Sequence, residues 1–107
     1  MPNKRKQERH SSTDTLYIIS GENIIKASLI DISVSGIRFS ADEKIDEEKL
    51  LNININYHPA NFIQKGFVVW SKNIGIKWEY GAAFANVSPV NNILLEDYIQ
   101  MLTSSVR

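Results

Sequence analysis

The stretch IIKASLIDISVSGIRFS (residues 24–40) contains two apolar segments separated by a short polar interruption, DISVSG (residues 31–36). The apolar segments are rich in β-branched residues, which favour strands. If residues 28–34 are extended, one face carries the apolar side chains of Ile30, Ile32 and Val34. The stretch therefore predicts two strands of a β-structure that meet at a polar bend.

The polar interruption is predicted to change which face of the chain is apolar. Asp31 and Ser33 are expected to project together from the face opposite the core. After Gly36, the next apolar pair is Ile37 and Phe39, so the alternation changes parity. Such a change requires a bulge or a tight turn, and we expect Gly36 to supply its backbone conformation.

Two interpretations of DISVSG remain open at this level. Asp, Ser and Gly are common turn formers, so the hexapeptide by itself predicts a hairpin turn. The same residues also place a carboxylate and a hydroxyl beside a bend where a ligand can approach the backbone. A match to D-x-S-x-x-G arises by chance in roughly one chain in forty of this length, so the motif alone does not decide between them.

The rest of the chain reads mostly as strands and ends in a helix. The predicted strands are residues 15–20, 23–31 (paired with 15–20 as a hairpin), 51–57, 62–70 and 74–84. In 51–57 the apolar face is Leu51, Ile53, Ile55 and Tyr57, and in 74–84 it is Ile74, Ile76, Trp78, Tyr80, Ala82 and Phe84.

The end of the chain is predicted to be a helix. Ser88 and Pro89 form a helix start that precedes apolar residues at helical spacing, namely Leu94, Leu95, Tyr98, Ile99 and Leu102. Residues 40–49 are predicted to be a solvated loop or a short helical turn, and the pattern favours a small barrel or sandwich closed by a helix.

Composition excludes several classes of protein. The 107 residues suffice for one compact domain. The chain has no cysteine, which removes disulfides, thiolate catalysis and cysteine-bound zinc. No apolar run reaches the length of about 20 residues that spans a bilayer, so we expect no membrane insertion, and a cytoplasmic location is the default expectation.

Enzymatic and metal-binding roles have little support. The two histidines, His10 and His58, have no serine and acid arranged near them in sequence, so we expect no catalytic residues. Isolated histidines and scattered acids give no metal-ligand spacing, so no metal and no cofactor are expected.

Charge is distributed unevenly although the net charge is zero. Residues 1–10 carry four basic side chains and one acidic side chain, a net charge of +3. The remainder of the chain therefore carries a net charge of −3. A protein that grips long nucleic acid usually has a broad basic face, which this chain lacks. The basic segment contains RKQER (residues 5–9), in which Arg5 and Arg9 are four apart.

The combination of RKQER with DISVSG resembles the PilZ domain, the bacterial receptor module for the second messenger cyclic di-GMP (c-di-GMP). The resemblance rests on R-x-x-x-R and D-x-S-x-x-G in this order, and on GFVVW (66–70) followed by GAAF (81–84). It implies a six-stranded antiparallel β-barrel with a C-terminal α-helix and a flexible N-terminal arm. The implied single domain, 1–107, divides into the arm (1–12), the barrel (13–87) and the helix (88–104).

The resemblance also implies a nucleotide site. Its ligand-binding residues are Arg5, Arg9, Asp31, Ser33 and Gly36, with Lys4 and Trp70 as further members. Arginines bind phosphates or the O6/N7 edge of guanine, and a carboxylate accepts from guanine N1 and N2. The implied function is a receptor or adaptor in which ligand binding orders the arm and changes the surface offered to a downstream protein partner.

Two alternatives stay open. Some PilZ-like domains serve only as protein adaptors and do not bind the messenger. Small β-barrels with aromatic strands also bind single-stranded nucleic acid by stacking, for which the chain offers Trp70, Trp78, Tyr80 and Phe84. The last three share one parity with Ile74 and Ile76, which predicts core positions for them first.

Overall fold

The described residues form seven strands and one helix. The computed structural model describes residues 10–11, 14–46, 50–56 and 61–104. The elements are β1 His10–Ser11, β2 Thr15–Ser20, β3 Asn23–Ile32, β4 Gly36–Ala41, β5 Leu50–Ile55, β6 Phe62–Asn73, β7 Trp78–Phe84 and α1 Pro89–Ser104.

The six longer strands form a closed antiparallel barrel. Their hydrogen-bonded order is β3-β2-β5-β6-β7-β4, and pairing of β4 with β3 completes the circle. The two-residue β1 pairs with the end of β3 beyond the point where β2 begins. Closure leaves the six long strands without an exposed edge, and it confirms the predicted six-stranded barrel with a C-terminal helix.

Strict alternation places one face of each strand in a single core. In β5, Leu51, Ile53 and Ile55 are fully buried, as the alternation predicts, whereas Tyr57 lies outside the described residues. In β7, Tyr80 is buried and its ring packs between those of Phe39 and Trp78, with centroid separations of 5.3 and 6.5 Å. Phe39 and Tyr80 belong to the core, and the partly buried Trp78 packs against it.

The predicted strand 74–84 is wrong at its start. β6 continues to Asn73 and pairs there with Trp78, so the residues between them form a tight turn. Gly75 in this turn has a φ of 96°, and Ile74 N–H donates to Lys77 O at 2.9 Å. Ile76 is therefore 87% exposed, although its parity in the sequence matches that of the core residues.

The parity change predicted at Gly36 occurs earlier in the chain. The β3–β4 register passes from the pair Leu29–Phe39 to Asp31–Arg38, which makes Ile30 the extra residue of a β-bulge. Ile32 is fully buried because the bulge turns it onto the face of Leu29. The prediction that Ile30 and Ile32 share the core face is wrong for this reason.

Gly36 has a different role from the one predicted. It is not among the glycines with positive φ in the described chain, so its backbone conformation is open to other residues. A Cβ atom at this position would lie 2.6 Å from Ala82 O on β7. Gly36 is required because β4 and β7 approach each other closely here.

The acidic loop after β4 inserts one apolar side chain, Ile45, into the end of the barrel and so acts as a plug. Ile45 is 3% exposed and packs in the core, while its neighbours Lys44 and Asp46 are exposed. Tyr80 Oη accepts from Ile45 N at 2.6 Å and donates to Glu43 O at 3.1 Å. The charged residues described in this loop are exposed, as expected of a solvated loop, whereas its one apolar residue closes this end of the core.

Helix α1 closes the opposite end. Ser88 Oγ accepts from Asn91 N at 3.1 Å, which is the predicted N-cap. Leu95, Tyr98 and Leu102 are buried in the core, as the helical spacing predicts. Within the described residues, no helix is long and apolar enough to cross a membrane.

Buried hydrogen bonds fix the helix to the barrel. Gln64 is 1% exposed, and its Nε2 donates to Lys65 O and Ala85 O at 2.9 and 2.8 Å. Its Oε1 accepts from Asn91 Nδ2 at 2.8 Å. Farther along the helix, Tyr98 Oη donates to Asp14 Oδ2 at 2.6 Å. The helix is therefore held both at its first turn and beside the start of β2.

Replacing Tyr80 with Phe should lower the free energy of unfolding by about 1–3 kcal/mol, because the buried Ile45 N–H loses its acceptor. Urea denaturation measures the change. The control is Tyr17→Phe, since Tyr17 is half-buried and its hydroxyl makes no hydrogen bond within the described part of the chain. Equal stability of the two variants would contradict a role for Tyr80 in holding the plug.

Replacing Gly36 with Ala should destabilise the barrel by about 1–3 kcal/mol through overlap with Ala82 O. The thermal unfolding midpoint measures this effect without any ligand. An unchanged midpoint would show that β4 and β7 can separate without cost.

Candidate functional site

One row of residues crosses four neighbouring strands on the outer face of the barrel. Asp31 on β3 pairs with Arg38 on β4, Arg38 pairs with Gly81 on β7, and Gly81 pairs with Trp70 on β6. The adjacent row, Ile32, Ile37, Ala82 and Val68, is buried in the core. Because side chains alternate along each strand, the first row faces outward as a set.

A β-bulge lies at each end of this row. Ile30 is the extra residue in β3, and Val69 is the extra residue in β6, between the pairs Val68–Ala82 and Trp70–Gly81. Each bulge changes the parity of its strand. The two bulges therefore direct Asp31 and Trp70 to the outside, although each follows a stretch whose alternation would have turned it inward.

A groove of about 440 Å³ runs along the row. It is lined by Ser35, Gly36, Ile37, Arg38, Val69, Trp70, Gly81, Ala82 and Ala83. Two of the predicted ligand-binding residues, Gly36 and Trp70, thus line one groove. Asp31 does not line it directly but is bonded to Arg38, which does.

Asp31 and Arg38 form an ion pair at the edge of the groove. Asp31 Oδ2 accepts from Arg38 Nη2 at 2.5 Å and from Arg38 Nε at 3.0 Å. The Asp31 side chain is 8% exposed and that of Arg38 is 40% exposed. The hydrogen bond to Asp31 raises the pKa of Arg38; desolvation partly opposes this, and the negative charges of Asp31 and Glu79 reinforce it. The guanidinium is therefore charged at every physiological pH.

Trp70 lies over the strand next to its own. A Cβ atom added at Gly81 would overlap Trp70 Nε1 and Cε2, so the indole occupies the space above this glycine. Trp70 is nevertheless 38% exposed. The indole is thus a partly exposed aromatic surface that lies over β7, between β6 and the strand β4 that carries Arg38.

The DISVSG segment forms the hairpin turn between β3 and β4. Ser33 N–H donates to Gly36 O at 2.9 Å, and Ser33 Oγ accepts from Ser35 N at 3.3 Å. Ser33 is fully buried, so the prediction that its side chain projects outward beside Asp31 is wrong. Phe84 N–H donates to Ser35 O at 2.9 Å and ties the turn to β7.

The structure describes two residues of the predicted arm, which form β1. Lys4, Arg5 and Arg9 lie outside the described residues. The described chain begins directly after them, where His10 pairs with Ile32 and Ser11 pairs with Asp31. The chain that follows Arg9 therefore runs beside the strand that carries the aspartate of the DISVSG motif.

Sequence reasoning missed Arg38. Arg38 is the second residue after Gly36, which ends the DISVSG motif, and only its parity on β4 indicated an outward position. Its pairing with Asp31 depends on the Ile30 bulge, which no sequence signal located. Within the residues that the structure describes, no cluster of three or more His, Asp or Glu side chains is positioned to hold a metal ion.

Comparisons with known proteins agree with this fold. The family model for the PilZ domain matches residues 3–101. No curated protein matches the chain. Among solved structures, the PilZ domain of YcgR from Escherichia coli with c-di-GMP matches with a TM-score of 0.81 and 15% identity, over 98% of this chain and 95% of that chain.

Longer proteins also match. YcgR of Escherichia coli in complex with c-di-GMP is 18% identical with a TM-score of 0.76, over 98% of this chain and 48% of that chain. The inhibitor of motility MotI (DgrA) of Bacillus subtilis is 17% identical with a TM-score of 0.73, over 99% of this chain and 54% of that chain. At these identities the likeness shows the fold, whereas the family model covers nearly the whole sequence, and we conclude that this chain belongs to the PilZ domain family.

Proposed function

We propose that this protein is a c-di-GMP receptor. The observation that carries the proposal is the convergence of the DISVSG strand, Trp70 and the chain after RKQER on one outer face of the barrel. Solved relatives of the same fold were determined with c-di-GMP. Their identity to this chain is low, so they support only the fold. The proposed ligand contacts rest on this chain's own residues.

The arm is proposed to complete the site. Arg9 immediately precedes β1, so a strand continuing in the same register would bring it opposite Ser33. Arg5 would follow four residues farther out, and Lys4 would extend the basic charge. Two arginines suit a ligand with two phosphodiester charges, because each guanidinium can fork onto phosphate or onto the O6/N7 edge of guanine.

The barrel is proposed to bind the bases. Asp31 can accept from guanine N1 and N2 through its carboxylate, and Trp70 can stack on a guanine, which contributes about 1–3 kcal/mol per base. Ser33 is proposed to act by holding the turn that presents Asp31, since its buried hydroxyl accepts from Ser35 N. Gly36 lines the groove without a side chain and leaves room for the nucleotide.

Ligand binding is proposed to change a protein-interaction surface. Ion pairs between the arginines of the arm and the ligand phosphates would hold the arm against β3. The surface around β1 would then be fixed. Helix α1 packs near β1 and is bonded to Asp14, so the same event reaches the helix. The output would be a contact with a downstream protein, consistent with adaptor function.

Calorimetric titration of the full chain with c-di-GMP should show binding, and Arg9→Ala should weaken it by about tenfold or more through loss of a charge-assisted contact. The matched control is Lys65→Ala, which removes an exposed cation from the outer face of β6, outside the groove lining. Its affinity should equal that of the unmodified protein.

The outcomes separate the candidate functions. Absence of heat with c-di-GMP would favour the adaptor that does not bind the messenger. Equal affinity of Arg9→Ala and the unmodified protein would remove the arm from the proposed site.

A further inference from the structure

We propose that Arg38, which belongs to neither sequence motif, contacts the nucleotide directly by donating hydrogen bonds to the O6/N7 edge of a guanine that stacks on Trp70. This inference rests on the proposed function, since it assigns a further residue to the c-di-GMP groove. It also assigns a positioning role to Gly81, which leaves space for the Trp70 indole to lie over β7, where a base would stack on it.

The first observation is position. Arg38 and Trp70 are each paired with Gly81, from opposite sides of β7. Two strand spacings separate their Cα atoms by about 10 Å. Both side chains line the same groove, so a planar base of purine size can touch both at once.

The second observation is the state of the guanidinium. Arg38 has five N–H donors, and Asp31 accepts one from Nε and one from Nη2. No hydrogen bond within the described chain uses Nη1, and the side chain is 40% exposed. Asp31 therefore orients the guanidinium and keeps it charged while donors remain for a ligand, so little side-chain entropy is lost on binding.

The third observation is the glycine at the centre of the row. Any side chain at Gly81 would overlap the indole of Trp70. The indole consequently reaches over β7 towards the strand of Arg38. With a larger residue at this position, Trp70 would move away and the aromatic surface would no longer adjoin the guanidinium.

Base chemistry predicts a selectivity from this arrangement. Guanine presents two acceptors, O6 and N7, to which an arginine binds in bidentate fashion. Adenine presents N7 and the donor N6 amino group on the same edge. A donor facing the donors of Arg38 is unfavourable, so Arg38 should favour guanine over adenine, whereas stacking on Trp70 should not distinguish them.

The test titrates c-di-GMP and cyclic di-AMP into the unmodified protein, Arg38→Gln and Arg38→Lys by calorimetry. Arg38→Gln should bind c-di-GMP about 10-fold to 100-fold more weakly. It should bind cyclic di-AMP as well as the unmodified protein or better, because a glutamine amide pairs with N6 and N7 of adenine, so the preference for c-di-GMP falls. Arg38→Lys keeps a positive charge beside Asp31 but lacks the planar fork, and it should not restore the discrimination.

A purely structural role for Arg38 predicts a different result. If it only neutralised Asp31, Arg38→Lys would recover both affinity and selectivity, and this would overturn the inference. Binding of c-di-GMP by Arg38→Gln with unchanged affinity would overturn it as well. If the unmodified protein does not bind c-di-GMP, the proposed function fails and this inference fails with it. If the unmodified protein binds and Arg38→Gln binds equally well, only this inference fails.

Gly81→Ala tests the positioning role separately. In a Trp78→Phe background, Trp70 is the only tryptophan left, and its emission reports the environment of the indole. Gly81→Ala should shift the emission of the free protein and weaken c-di-GMP binding about 10-fold, by analogy with loss of one base-stacking contact. Unchanged emission and unchanged affinity, relative to Trp78→Phe alone, would contradict the role of Gly81.

Discussion

The register of the closed barrel is the constraint on which the other features depend. Six antiparallel strands form one circle, so each outward residue has fixed neighbours on both sides. The bulges at Ile30 and Val69 adjust that register at two places. They bring an acid, an arginine, a glycine and a tryptophan into one line across four strands. A slip of one residue in either strand would turn Asp31 or Trp70 into the core.

Hydrogen bonds from buried side chains hold in place the two elements that close the ends of the barrel. At one end Tyr80 satisfies the backbone of the loop that inserts Ile45. At the other end Gln64 joins β6, the end of β7 and the first turn of α1. Buried polar groups of this kind are costly unless every partner is present. They therefore fix where the loop and the helix lie, which apolar contacts alone leave less defined.

The proposed site combines a groove on the barrel with basic residues that precede β1 in the sequence. The groove on β4, β6 and β7 is formed by residues that the register holds in place. Arg5 and Arg9 precede β1 in the sequence, and β1 pairs with the strand that carries Asp31. In the proposed function, the barrel would supply surfaces for the bases and the arm would supply charge for the two phosphates of the nucleotide.

Local patterns in the sequence determined the strands, the capped helix, the alternating core of β5 and the turn at DISVSG, because each depends on residues close together in the chain. Two motifs also indicated the family and its ligand class. Tertiary structure alone decided the Ile30 bulge, the burial of Ser33, the exposure of Ile76 and the pairing of Asp31 with Arg38. Each of these depends on which residue lies opposite on another strand, and that register is set by closure of the whole barrel.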